Sequence, residues 1–384
     1  MAKIRLGVIG CGGMGAAHLE YMAEMSNAAP TAVCDIIEDR AIEAAEKVDA
    51  KAFVDHHDLL DSGLVDAVLI ATPHYDHPPI AVDAFERGIH VISEKPLGVT
   101  LSPVDKMLEA AKKSGCVFSV MYQNRSRGHI RKAKKMIEDG TVGEIIRVYY
   151  LAPCYRSQAY WESDPWRGRW ATEGGGVLVN QAPHYTDLLY HLCGQPSEVL
   201  GRWGCRIHNI EVEDQAEALL TWPNGATGYY ATAVNESPTL SFMRIVGDRG
   251  ILEIRGRDLF FAPYKDGATL RDWTLNAASK WGSPGGDFEK VEPYKDRMPG
   301  HKAITHNTVK AINGEAELIA PGEDGISQVE ISCAIFLSGD KGKPVTLPVD
   351  RNEYDKLMKK LIRQAEGRRK KTRKVKDGGV ELFE

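Results

Sequence analysis

The chain has 384 residues, 43% of them hydrophobic and 26% charged, with a formal net charge of −5 and a mean hydropathy of −0.30. That length predicts two or three domains with enough apolar residues to fill a core. The composition excludes a disordered chain, a collagen-like repeat and a disulfide-held mini-protein, and the mild acidity argues against nucleic acid as a partner.

Residues 1–122 alternate short apolar runs with helical patterns. Met1 to Arg5 lead straight into the first run with no signal-peptide core, so a cytoplasmic location is expected. No stretch of about 18 apolar residues occurs, so no membrane partner is expected either. Strands are predicted at Ile4–Ile9, Thr31–Asp35, Ala67–Ala71, Ile89–Ile92 and Val117–Val120. Helices are predicted near 13–25, 38–48, 80–87 and 103–112. Nearly continuous apolar strands separated by helices indicate a parallel sheet covered on both faces, a doubly wound α/β domain.

From residue 123 the texture changes. Residues 151–176 are aromatic and Gly-rich, and 196–263 read as longer strands punctuated by turns such as Pro223-Asn224-Gly225. A second, α+β domain with a large, mostly antiparallel open sheet is expected over 123–350. Residues 264–300 read as a surface excursion, and helices return near 301–313 and 323–337. Residues 351–384 are read as a basic helical tail, solvated rather than bound to an acidic partner. The seven cysteines form no C-x-x-C pair, so neither a disulfide framework nor a Cys-based zinc site is expected.

The first chemical motif is Gly10-Cys11-Gly12-Gly13-Met14-Gly15, a G-x-G-x-x-G between the first strand and first helix. Gly10 allows the tight turn, Gly12 lets backbone approach a pyrophosphate, and Gly15 lets helix and strand pack closely. The helix N-terminus then offers N–H groups and partial positive charge to phosphate. Asp35 ends the second strand, 20 residues on. Its carboxylate can accept ribose hydroxyls and repels a 2′-phosphate, so NAD is favoured over NADP. Arg40 is the nearby cation that could answer such a phosphate.

Ser93-Glu94-Lys95-Pro96 follows another strand end, on the ligand-binding edge of such a sheet. Lys95 there can relay a proton. The second segment runs from Gly174-Gly175-Gly176 to Asn180, His184 and Asp187. If it is helical, Asn180, His184, Asp187 and His191 share one face, although Pro183 requires the helix to start or strain there. A metal at His184, Asp187 and His191 is not expected, because no further ligand cluster lies near them. Before the glycines, Tyr155, Tyr160, Trp161, Trp166 and Trp170 gather with Arg156, Arg167 and Arg169. Aromatic faces stack on sugars and Arg binds hydroxyls or carboxylates, so this is read as a substrate loop. The competing reading is an oligomer contact.

Taken together these pieces resemble the Gfo/Idh/MocA family of nicotinamide-dependent oxidoreductases. The matching residues are Gly7 to Gly15, Ala71-Thr72-Pro73 with His77, Glu94-Lys95-Pro96, Arg125, Gly143, the Gly174–Asp187 segment and the stretch 339–348. The resemblance implies a Rossmann domain at 1–122, a substrate and oligomerisation domain at 123–350, and a homodimer or homotetramer. It implies catalysis by Lys95 and His184. It implies cofactor contacts from Gly10, Gly12, Gly13, Met14, Asp35, Arg40, Thr72, Pro73, His77, Glu94 and Lys95. Substrate contacts are assigned to Gln123, Tyr155, Trp166, Arg167, Asn180 and Asp187. Asn180 departs from the family, where an Asp is common, and an amide cannot ionise. The expected reaction is NAD-dependent oxidation of a secondary ring hydroxyl of a sugar, glycoside or cyclitol, specifically C3 of a pyranoside. The alternatives are a redox-neutral sugar-processing enzyme that retains its NAD and a non-catalytic sensor of NAD or sugar.

Overall fold

The computed structural model describes residues 3–296, 298 and 300–377. The end of the expected tail, 378–384, lies outside the described residues. The N-terminal half runs β1 (Ile4–Ile9), α1 (Gly13–Ala23), β2 (Ala28–Cys34), α2 (Glu38–Val48), β3 (Lys51–Phe53), α3 (His56–Asp61), β4 (Ala67–Ile70), α4 (His77–Glu86), β5 (His90–Ser93), α5 (Leu101–Ser114) and β6 (Phe118–Val120). The six strands form one parallel sheet in the order β3-β2-β1-β4-β5-β6. Its central strands are buried on both faces, as their unbroken apolar runs require. Strand order reverses between β1 and β4, so the crevice at their C-terminal ends is the natural ligand site.

The second half runs α6 (Gly128–Glu138), β7 (Ile145–Pro153), α7 (Gln158–Glu162), α8 (Pro183–Cys193), β8 (Glu198–Gly204), β9 (Gln215–Thr221), β10 (Thr227–Ala233), β11 (Phe242–Gly247), β12 (Gly250–Arg255), β13 (Asp258–Pro263), α9 (Leu270–Asn276), β14 (Glu289–Val291), α10 (Gly300–Ile312), α11 (Gly325–Lys341), β15 (Val345–Thr346) and α12 (Arg351–Asp377). Nine strands form a second sheet, ordered β14-β13-β12-β11-β7-β10-β9-β8-β15. All its pairs are antiparallel except β7 with β10. Strands β9, β10 and β11 alternate buried and more exposed residues. One face therefore packs under helices such as α8 and α11, and the other faces outward. The outward face carries exposed Tyr149, Leu151, Leu200 and Leu219. No described helix is long and apolar enough to cross a membrane.

The chain returns to the first sheet after β14. Val120 N donates to Ala320 O at 3.0 Å, and Lys302 on α10 pairs with Glu24 at 2.8 Å. Residues 264–300, read as a surface excursion, include the short elements α9 and β14. The structure also adds β3, α3 and α6, which the sequence pattern did not single out.

Candidate active site

The glycine turn is shaped by close packing. Gly10 has φ +93°, and a Cβ there would sit 2.7 Å from the Ala71 carbonyl; a Cβ on Gly15 would lie 1.8 Å from Gly10 O. Around Gly12 and Gly13, by contrast, an added Cβ meets nothing within 4 Å. The first turn of α1 holds no acidic residue, and its N-cap, Gly12, offers no side-chain cap. Its free N–H groups thus suit a pyrophosphate. Asp35 is buried at the end of β2. Its Oδ2 accepts from Cys11 N at 2.9 Å and its Oδ1 from Ile37 N at 2.9 Å. These two bonds fix the carboxylate at the crevice with lone pairs left for ribose hydroxyls. Thr72 Oγ1, in the loop after β4, is buried with no hydrogen-bond partner among the described residues, which fits a bound ligand at that loop. Met14 and Arg40 are exposed, and Pro73 opens the turn after Thr72. These residues fit a dinucleotide of the NAD type.

His77 serves that loop from behind. Its buried ring lies between two carbonyls, Thr72 O and Pro96 O, each at 2.8 Å, and so ties the end of β4 to the turn after β5. Glu94 is also buried. His18 Nε2 donates to its Oε1 at 2.8 Å, and Lys95 N donates to Oε2 at 3.1 Å. Burial would raise the Glu94 carboxyl, but the His18 hydrogen bond and the charges around it bring it down to about 2. Glu94 is thus a fixed anion under the turn that carries Lys95.

The Lys95 ammonium donates to Asn180 O at 2.8 Å, with Asn180 Oδ1 at 3.5 Å. This contact joins residues 85 positions apart. Asn180 sits in a single π-helical turn, Val177–Gln181, closed by Ala182 N donating to Val177 O. Pro183 then opens α8, where its missing N–H costs nothing. His184 thus follows in the first turn of α8. Gln123 Nε2 lies 3.2 Å from His184 Nε2, while Gln123 Oε1 and His184 Nδ1 are buried without hydrogen-bond partners among the described residues. Burial, and then the Lys95 charge, depress the imidazole to about 3, and burial lowers the Lys95 amine from its usual range. The amine thus lies beside the turn that precedes His184, near enough for its charge to act on the imidazole, and burial biases both toward their neutral forms.

The triple glycine serves the protein rather than a ligand. A Cβ on Gly176 would lie 1.9 Å from Glu213 O, and one on Gly174 2.3 Å from Val99. Glu213 is fully buried, and its carboxylate accepts from Gly176 N and Leu178 N at 2.9 Å. Those bonds anchor the π turn.

Two further residues complete the site. Glu173 is fully buried and accepts from Asn180 Nδ2 at 2.5 Å and from Gly168 N at 2.5 Å. Burial raises its carboxyl to about 7, against the pull of the Asn180 hydrogen bond. Because Glu173 takes the amide nitrogen of Asn180, the amide oxygen is the end turned toward Lys95. Glu173 thus places a carboxyl group behind Asn180, the position where the resemblance implies an Asp. Tyr160 OH accepts from Gln181 Nε2 at 2.6 Å, from Asn180 Nδ2 at 3.3 Å and from Arg167.

The aromatic segment divides. Trp161 and Trp170 are buried core residues. Trp166 stands edge-on to His74 at 5.4 Å, and the Arg167 guanidinium lies 4.3 Å over Tyr160 and 4.5 Å over Trp166. Trp166 and Arg167 therefore border the cleft beside Lys95. Tyr155 is exposed at the start of the same segment. Asp187 stands apart from this group. It is fully buried, and Arg125 Nη2 and Nε donate to it at 2.6 and 3.0 Å. It holds α8 in place from behind. Sequence reasoning passed over Glu173, Glu213 and His18; the only local signal was the acid directly preceding the glycines.

Two family descriptions match the chain: an oxidoreductase family with an NAD-binding Rossmann fold over residues 4–122, and the GFO/IDH/MocA C-terminal domain over 130–253. A levoglucosan dehydrogenase of Pseudarthrobacter phenanthrenivorans is 32% identical over 59% of this chain and 67% of its own. A myo-inositol 2-dehydrogenase of Thermotoga maritima is 28% identical over 59% of this chain and 67% of its own. Among solved structures, the WlbA dehydrogenase of Bordetella pertussis with NADH and UDP-GlcNAcA is 28% identical, covers 91% of this chain and 100% of its own, and superimposes with a TM-score of 0.76.

Proposed function

The chain belongs to the Gfo/Idh/MocA family of NAD-binding oxidoreductases, and we propose that it oxidises a secondary ring hydroxyl of a sugar, glycoside or cyclitol, with C3 of a pyranoside as the specific position. The observation that carries this reading is the Lys95 bond to Asn180 O, which sets the amine beside the turn that delivers His184. Hydride acceptance is the chemistry that NAD supplies when bound. The chain's own residues hold the alcohol and take its proton. Lys95 is the better base: its amine is lowered from a high starting value, whereas the imidazole at about 3 binds a proton weakly. His184 orients the hydroxyl as a neutral hydrogen-bond partner, steadied by Gln123. Asn180 and Glu173 hold the amine in place.

The test is a panel of sugars, glycosides and cyclitols offered with NAD and with NADP, read by reduced-nicotinamide absorbance. NADH should form with a ring polyol, and NAD should outperform NADP because of Asp35. If no compound yields net NADH and the cofactor stays tightly held, the redox-neutral alternative takes over.

A cytoplasmic location and a homodimer or homotetramer belong to the same proposal. The exposed apolar residues on the outer sheet face support assembly there, and the place of Trp166 beside His74 supports a substrate role for the aromatic loop. The two assignments can be crossed. Trp166→Ala should raise KM by roughly tenfold through lost stacking and leave the sedimentation coefficient unchanged. Leu219→Lys should shift sedimentation toward monomer. A Trp166 variant that changes assembly but not KM would reverse the two roles.

A further inference from the structure

A cavity of about 220 Å³ lies between α6, α8 and the inner face of the nine-stranded sheet. Asn124, Arg127, His129, Tyr150, Tyr185 and Arg257 are among its lining residues. It lies near the proposed catalytic groups, since the Arg127 charge reaches the His184 imidazole. Tyr185 follows His184, and Asn124 follows Gln123, whose amide meets the imidazole.

Two guanidiniums line this cavity, Arg127 half-buried and Arg257 exposed. Arg127 Nε donates to Asn124 Oδ1 at 2.8 Å, which fixes the guanidinium while its terminal nitrogens find no acceptor among the described residues. Arg257 makes no hydrogen bond or ion pair among them. Two carboxylates stand nearby: Asp296, which accepts from Gly128 N at 2.5 Å and whose charge also reaches Arg127, and Asp258, which pairs with Lys290 at 2.8 Å. Burial and then the Arg257 charge lower Arg127, while the Asp296 charge pulls the other way. Burial and the Arg127 charge likewise push His129 to about 4, so it stays neutral. A planar anion held by two such forks would relieve the repulsion and form charge-assisted hydrogen bonds.

We propose that this cavity receives a carboxylate or phosphate carried by the sugar whose ring hydroxyl meets Lys95 and His184. The preferred substrate is then an acidic sugar rather than a neutral one. This inference rests on the dehydrogenase reading for the position of the ring, and on the cavity alone for the charge.

The test is calorimetric titration of the NADH-loaded enzyme with D-glucuronate, glucose 6-phosphate and methyl glucoside. At least one acidic sugar should bind about tenfold or more tightly than the neutral glycoside, which is about 1.4 kcal/mol, and added salt should erode that advantage. The better acid identifies the group, carboxylate or phosphate. Arg127→Gln combined with Arg257→Gln should abolish the preference while NADH affinity is kept, and Arg127→Lys should retain most of it. Equal affinity for neutral and acidic sugars, no detectable binding of either acid, or a preference that survives the double substitution overturns the proposal. Turnover separates the two readings. Arg-dependent binding of an acid without NAD reduction on any sugar defeats the dehydrogenase and leaves the anion site standing. Oxidation of neutral sugars with no charge preference does the reverse.

Discussion

Lys95→Ala should lower turnover by about 10²–10⁴-fold, the usual contribution of a positioned general base, while NADH binding, read by its fluorescence, stays close to that of the parent. The separation follows from geometry. Lys95 Nζ reaches Asn180, whereas the proposed dinucleotide cradle is the glycine turn and Asp35, with Asp35 held by Cys11 N and Ile37 N. His184→Ala should also cost turnover, by less if the imidazole orients the alcohol and does not take its proton. The pH profile sharpens the assignment. Burial lowers the Lys95 amine below its ordinary value, so alcohol oxidation should climb with pH as the ammonium loses its proton. The climb should end below the ordinary lysine range. That limb should vanish in Lys95→Ala and persist in His184→Gln. Near-normal turnover in both the Lys95 and His184 alanine variants would remove the catalytic assignment; loss of the limb in His184→Gln alone would exchange the two roles.

The nucleotide half of this site was legible because its chemistry is local. A strand, a turn of glycines and a helix start lie within twelve residues, and Gly10 and Gly15 answer to contacts that no side chain could share. Lys95 and His184 were legible as motif residues, but the Lys95 contact with Asn180 depends on a π turn that no helical periodicity announces. Glu173 and Glu213 were invisible for a related reason. Each is a buried acid whose meaning lies in its acceptor role toward backbone or amide groups, at Gly168, Asn180, Gly176 and Leu178, and nothing in the pattern around them distinguishes that from a solvated acid. The strand β3 is only three residues long, too short for an apolar alternation to register. Arg127 precedes α6 and Arg257 lies in the turn between β12 and β13, so only tertiary structure could place both at one cavity.

Arg125→Leu should destabilise the protein by about 3–5 kcal/mol, the cost of stranding one partner of a buried ion pair. Arg125 is 2% exposed and Asp187 is 0%; the guanidinium also reaches Asp324 at 2.5 Å. Burial pushes the Asp187 carboxyl up, and the Arg125 charge and hydrogen bonds pull against that rise. Without Arg125 the carboxyl should sit higher still, so the native state would bind a proton that the unfolded chain releases. Stability of the variant should therefore fall as pH rises above the unfolded carboxylate value, and its deficit should shrink at pH near 5 (an estimate from ordinary carboxyl values of about 4). The double variant Arg125→Leu, Asp187→Leu should recover part of the loss, because it buries no charge. Denaturant melts across pH read all of this. The consequence for function follows from α8, which carries His184 on one turn and Asp187 on the next. If the pair only stabilises, a folded Arg125→Leu sample should keep its KM. If it also aims His184, kcat should fall even where the sample is fully folded, and the double variant should not restore it. A stability loss under about 1 kcal/mol, within the range of an ordinary surface ion pair, would show that the pair is not the anchor of α8.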